Sequence, residues 1–210
     1  MLIGIIGTKR SGKDTTARII QAVDLYRTYF KDLKLVDENT FIHNCLSDKY
    51  FQELKERNYI SKYDNHAFAD NVKMCISIIT GIDYKDLFVE EIKNSDSGIG
   101  EVLTYRQLMQ QFGTEVGRTL DPDIWIKSLF KDYDSSMNWI ITDVRFENEA
   151  NTIIRNGGIL FRIIKEEPSN EHSSETGLPN YPSIAEEIYN KGSMDELINK
   201  IKLIMERYKI

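Results

Sequence analysis

Cysteine is scarce: the 210 residues hold only Cys45 and Cys75. Two thiols give neither a disulfide framework nor a cysteine-rich zinc site, which fits a reducing cytoplasm. Proline is equally sparse, and three of the four prolines fall within "KEEPSNEHSSETGLPNYPS", which reads as one loop. There is no excess of basic charge. The formal net charge is -6, which argues against a large nucleic-acid-binding face, since that needs clustered Lys and Arg. A small anionic substrate needs only a few local cations and stays open. Long hydrophobic runs are absent too. The first apolar run is about five residues, too short for a secretory leader. Nothing approaches the ~20 apolar residues of a membrane span.

What is present is a soluble globular composition, 41% hydrophobic and 29% charged, with enough chain to bury a core as one domain. "LIGIIG" reads as a short buried strand. "KDTTARIIQAVDLY" follows with apolar residues at helical spacing. Residues 27–65 are polar and mixed, and "NCLSDKYFQELKERNY" is their most helical part. A helix is expected from about Asp70 to near Gly81, and "NSDSGIGE" reads as a loop. "TYRQLMQQFGTEVGRTL" and "DIWIKSLFKDY" read as helices, the first interrupted by a Gly-Thr turn. "NWIITDVR" suits a buried parallel strand ending at Thr142–Asp143. "RFENEANTIIRNGG" is then helical and stopped by two glycines. "ILFRII" is another strand. "AEEIYN" gives a short strand, and Ser193 with Glu196 a capping-box start for the last helix. Strand–helix units at both ends of a helical middle predict an α/β, three-layer fold with a parallel sheet. We expect one domain over 1–210, with a nucleotide-binding core at about 1–30 and 137–210 and a helical acceptor-binding insertion at about 31–136.

The loop "GTKRSGKDTT" carries the clearest chemistry. Gly7, four residues, then Gly12–Lys13 lie between a predicted strand and a predicted helix, the context a phosphate-binding loop requires. Glycines let the chain bend around an anion, and backbone N–H groups at the helix start face the phosphates. Lys13 would follow the transferring group. The next residue is commonly Ser or Thr, yet here it is Asp14. A carboxylate beside a triphosphate is repelled unless a cation intervenes. Asp14 therefore reads either as a magnesium residue, with Thr15 or Thr16 adding a hydroxyl, or as a first-turn acid favoured by the helix dipole.

Asp143, at the end of a buried strand, suits a second magnesium-associated position, an acceptor-positioning acid or a simple helix cap. Arg145 points the same way and can grip phosphate through two N–H bonds. Arg106 and Gln110 share a helix side, read as an acceptor surface or a solvated face. His172 and Glu175 in "HSSE" are weak as a metal pair by themselves.

Taken together, "KRSGKDTTA", "YRQLMQQFGTE", "DVRFENEA", "HSSETGLP" and "NKGSMDELINKIK" occur in an order that resembles the bacteriophage-type deoxynucleoside monophosphate kinases. The resemblance covers residues 1–20 and most of 66–210. It implies a P-loop kinase that moves the ATP γ-phosphate onto a deoxynucleoside monophosphate (dNMP), with Mg2+ as cofactor. Asp after the loop lysine is then normal. The donor phosphates are implied on Gly7, Lys9, Ser11, Gly12, Lys13, Asp14, Thr15 and Thr16. Catalysis is implied at Lys13, Arg10 and Arg145, and the metal at Asp14, Thr15 and Asp143. The acceptor is implied on Asp70, Lys73, Arg106, Gln110, Gly113, Thr114, Trp125, Asp143, Arg145, Glu149, His172 and Glu175. Trp125 reads equally as a base-stacking wall or a core residue. The expected partners are ATP and a dNMP, with no nucleic acid and no membrane; monomer and homodimer both stay open. The expected compartment is the cytoplasm, the host's if the chain is phage-encoded. Two rival readings remain: a kinase of another phosphorylated acceptor, since animal-type phosphomevalonate kinases share the Lys-Asp loop, and a nucleotide-binding regulator without turnover.

Overall fold

A computed structural model describes residues 1–100, 102–165, 178 and 180–210. The chain forms two compact units, residues 1–66 with 134–210, and residues 67–133.

The first unit is built on a five-stranded, all-parallel sheet in the order β2-β3-β1-β4-β5. Its strands are β1 (Leu2–Ile6), β2 (Tyr63–His66), β3 (Asn138–Val144), β4 (Ile159–Ile164) and β5 (Glu186–Tyr189). Central β1 is buried at every residue, as expected of a parallel strand covered on both faces. Side chains alternate across it. Ile3 and Ile5 join one core with Ile140, Phe161 and Ile163, closed by α1 (Lys13–Leu25), α2 (Glu38–Cys45) and α3 (Asp48–Glu56). The C-terminal helix, Met194–Tyr208, completes that layer. Cys45 lies in this core, and burial pushes its thiol up to about 12, so it stays protonated and unreactive. On the opposite face Gly4 leaves room for the helix Glu147–Arg155. A Cβ on Gly4 would come within 2.7 Å of Ile153 and 2.5 Å of Leu160. The result is the expected three-layer α/β fold.

The "GG" that stops this helix serves two purposes. Gly157 takes the left-handed conformation (φ 75) of a helix end. Gly158 instead allows close packing, since a Cβ there would lie 2.8 Å from the Leu2 carbonyl oxygen. Residues 31–66 lie in the first unit and supply α2, α3 and edge strand β2.

The second unit is helical: α4 (Ala69–Thr80), a 3-10 segment (Tyr84–Phe88), α5 (Glu90–Lys93), α6 (Tyr105–Gln110), a π-helical segment (Gln111–Gly117), α7 (Arg118–Leu120) and α8 (Ile124–Phe130). Gly81 caps α4 in the left-handed conformation, as its position predicts. Ile76, Leu87 and Leu108 form a buried cluster. Among the described residues, the first unit's second half carries the helices α9 (Glu147–Arg155) and α10 (Met194–Tyr208). No helix among the described residues is long and apolar enough to cross a membrane.

Candidate active site

The phosphate loop leaves the C-terminal end of β1, at the middle of the sheet, and runs into α1. Its glycines are required by contact. A Cβ on Gly7 would sit 2.6 Å from Ser11 Oγ and 2.8 Å from the Ile163 carbonyl oxygen. Gly12 has φ 105, and a Cβ there would meet Asn190 Nδ2 at 2.5 Å. Arg10 also adopts a left-handed backbone (φ 59). A non-glycine residue held there costs energy, and such outliers gather at functional sites. Ser11 N–H donates to the Thr8 carbonyl at 3.2 Å, closing the loop. Lys13 Nζ arches back and donates to the carbonyls of Gly7 (2.8 Å) and Thr8 (2.6 Å). Its charge is thereby held over the mouth of the loop.

Two hydroxyls in this loop and helix start are buried without a hydrogen-bond partner among the described residues, Ser11 Oγ and Thr16 Oγ1. A buried hydroxyl without a partner costs free energy, so such groups call for a ligand or water. Thr15 is half-buried and Asp14 exposed at the start of α1. The donor set of hydroxyls, a carboxylate and a lysine suits a phosphate chain with a hard cation. Among the described residues no three His, Cys, Asp or Glu gather to hold a metal unaided.

Asp143 stands beside this loop because β3 pairs with β1. Gly4 is opposite Ile141 and Ile6 opposite Val144, so two steps on β1 span three on β3. This bulge puts one extra residue among Thr142–Val144 and re-aims the strand end. The apolar run in "NWIITDVR" does not show it, and the strand runs to Val144 rather than ending at Thr142–Asp143. Arg145 follows, exposed, on a turn fixed by Glu149. The Glu149 carboxylate is buried and accepts from the backbone N–H groups of Arg145 (2.8 Å) and Phe146 (3.1 Å). Glu149, expected as an acceptor contact, thus anchors the turn that carries Arg145.

The sequence reading missed Asn190. It follows β5, where its N–H donates to the Ile164 carbonyl (2.8 Å) and its Nδ2 donates to the Ser11 carbonyl (2.8 Å). It ties the phosphate loop to the sheet from 179 positions away. Only the pairing of β4 with β5 could have shown this. Beside it lies a cavity of about 480 Å³ lined by Arg10, Thr15, Lys165, Asn190, Lys191 and Met194, among others. Three cations on its wall suit an anionic occupant. Asn190→Ala removes one hydrogen bond, worth ~1 kcal/mol. A roughly fivefold rise in the KM for ATP is expected in steady-state assays, with the dNMP KM unchanged.

In the second unit, Lys73 Nζ pairs with Asp70 Oδ1 at 3.0 Å, and Asp70 Oδ2 caps the start of α4 at Ala67 N–H (2.9 Å). Arg106 and exposed Gln110 share one side of the helix that begins at Thr104. Gly113 and Thr114 are not in a turn. The helix continues through them in π geometry. The reason is Trp125, which is buried, donates its indole N–H to the Gly113 carbonyl (2.7 Å) and fills the space over Gly117, where a Cβ would come within 2.6 Å of the ring. The wider turn releases that carbonyl, and such π segments recur at functional sites. Trp125 is therefore packed as a core residue supporting Gly113. His172 and Glu175 lie outside the described residues.

A parallel sheet with a Gly-x4-Gly-Lys loop between its central strand and the following helix, and a strand-end Asp beside it, defines a P-loop kinase fold. The family model for deoxynucleotide monophosphate kinase matches residues 51–201, and the chain belongs to that family. Two curated proteins named deoxynucleotide monophosphate kinase are similar along nearly their whole length. That of Escherichia phage RB69 is 27% identical over an alignment of 246 residues, covering 97% of this chain and 99% of that protein. That of Enterobacteria phage T4 is 26% identical over 234, covering 96% and 97%.

Proposed function

We propose that the chain transfers the γ-phosphate of ATP to the phosphate of a dNMP, giving ADP and a dNDP for DNA precursor synthesis. The carrying observation is the phosphate loop with its two buried hydroxyls, partnerless among the described residues, in a member of this kinase family. An acceptor phosphate oxygen attacks Pγ, the new O–P bond forms, and the Pγ–O bond to Pβ breaks, its electron pair leaving on ADP. Little covalent chemistry falls to the protein, so positioning and charge do the work.

Backbone N–H groups of Gly12 to Thr15, with the Ser11 and Thr16 hydroxyls, cradle the donor phosphates, and Lys13 stabilises the charge on the transferring group. Asp14, with Thr15 or the buried Thr16 hydroxyl, and Asp143 are the residues that would hold Mg2+, which would supply neutralisation of the phosphate charge. Arg10 and Lys9 extend over the phosphates. The cavity beside Asn190, with Arg10, Lys165 and Lys191 on its wall, suits an anionic part of ATP. Arg145 grips the acceptor phosphate, and Lys73, Arg106, Gln110 and Thr114 supply further acceptor contacts, with Asp70, Gly113, Trp125 and Glu149 holding them in place. The compartment that fits these substrates is the cytoplasm where DNA is made.

A substrate panel tests this. Incubation with ATP, Mg2+ and each dNMP, NMP or phosphomevalonate should yield ADP and a deoxynucleoside diphosphate with at least one dNMP. Turnover confined to phosphomevalonate, or none at all, would overturn the reading.

A further inference from the structure

The second unit holds its two acceptor cations in an unusual way. Both are gripped by one short stretch, residues 84–94, which separates α4 from α6 in sequence. Arg106 Nε donates to Asn94 Oδ1 (3.1 Å), and Arg106 Nη2 donates to Glu90 Oε2 (2.6 Å). Lys73 Nζ lies 4.0 Å from the centre of the Phe88 ring while it pairs with Asp70. Tyr84 packs edge-on against Phe88 at 5.2 Å. The stretch is not a loose surface loop, for Leu87 in its middle is fully buried with Ile76 of α4 and Leu108 of α6.

The geometry at Arg106 separates a support from a competitor. A guanidinium has five N–H donors arranged as two forks. Asn94 takes Nε and Glu90 takes Nη2. Nη1, at the end of the guanidinium, has no partner among the described residues. An end fork matches two oxygens of a phosphate. An acid that meant to block the arginine would take that fork. Lys73 is arranged alike: one ammonium hydrogen goes to Asp70, the Phe88 ring covers another side, and donor capacity remains.

We propose that residues 84–94 form a brace for the acceptor, in which Glu90 and Asn94 aim the end fork of Arg106 at the dNMP phosphate and Phe88 fixes the ammonium of Lys73. These are positioning residues. The inference rests on the reading that Arg106 and Lys73 bind the acceptor. It adds that their aim is set before substrate arrives, by a segment that touches no substrate atom.

The test is a double-mutant cycle read in KM for dNMP. Arg106→Ala should raise it strongly. Glu90→Ala should raise it about tenfold, because a misaimed donor loses most of its grip, while the KM for ATP and the melting temperature stay near wild type. Glu90→Gln, which keeps an acceptor oxygen for Nη2, should restore most of the loss. In the Arg106→Ala background, Glu90→Ala should add nothing. If Arg106→Ala leaves the dNMP KM unchanged, the acceptor reading of Arg106 fails and the brace with it. If Arg106→Ala raises KM while Glu90→Ala does not, or if the two effects multiply in full, the acceptor reading stands and the brace is overturned. A fall in KM with Glu90→Ala would instead make Glu90 a competitor. Should Glu90→Ala fold poorly, Asn94→Ala enters the same cycle.

Discussion

Lys13→Ala should lower kcat by at least about a hundredfold, the scale seen when one donor to developing negative charge is removed from an active site. The same lysine donates to the Gly7 and Thr8 carbonyls, so some loss of stability is expected as well. Two hydrogen bonds at ~1 kcal/mol each would lower the melting temperature by only a few degrees in a chain of this size. Activity and melting therefore part company: near-complete loss of transfer in a protein that still melts cooperatively. Single-turnover assays beside thermal melting read both. Turnover near wild type would remove Lys13 from the chemistry. Collapse of the fold would mean that the loop carbonyls depend on the lysine more than their geometry indicates.

Arg145→Ala should fall mainly on the acceptor. Two charge-assisted hydrogen bonds lost from a phosphate correspond to about 2–4 kcal/mol, or roughly 30- to 700-fold in kcat/KM for dNMP. ATP binding should scarcely change, because the donor loop is built from another segment. Stability should hold too, since Glu149 anchors that turn through the backbone N–H groups of Arg145 and Phe146, which alanine retains. Steady-state kinetics in both substrates separates the effects. An unchanged KM and kcat for dNMP would refute the assignment.

Residues whose reasons are local could be read from the sequence. β1, β3 and β4 are short apolar runs, and the glycines of "GTKRSGKDTT" and "NGG" announce bends that the backbone makes. Gly81 and Ser193 mark a helix end and a helix start for equally local reasons. The features that escaped have causes elsewhere in the chain. β2 is "YDNH", polar because it is an edge strand, with only Tyr63 buried. The bulge in β3 depends on the register of β1. The Gly-Thr step reads as a turn in isolation, but Trp125 packs on it and keeps it helical. Asn190 acts on Ser11 through the order of strands, and Glu90 on Arg106 through the folding of the segment between α4 and α6. For Ser11 and Arg106 the chemistry-bearing residue was visible while the residue that aims it was not.

Transfer of the phosphoryl group itself is the most direct test. The protein is mixed with ATP labelled in the γ-phosphate, Mg2+ and one dNMP at a time, and the products are separated before a full turnover ends. The expected result is label in the β-phosphate of a dNDP, appearing at the rate at which ADP forms. Label recovered only as inorganic phosphate, or retained in ATP with every dNMP, would contradict the assignment of this chain as a dNMP kinase.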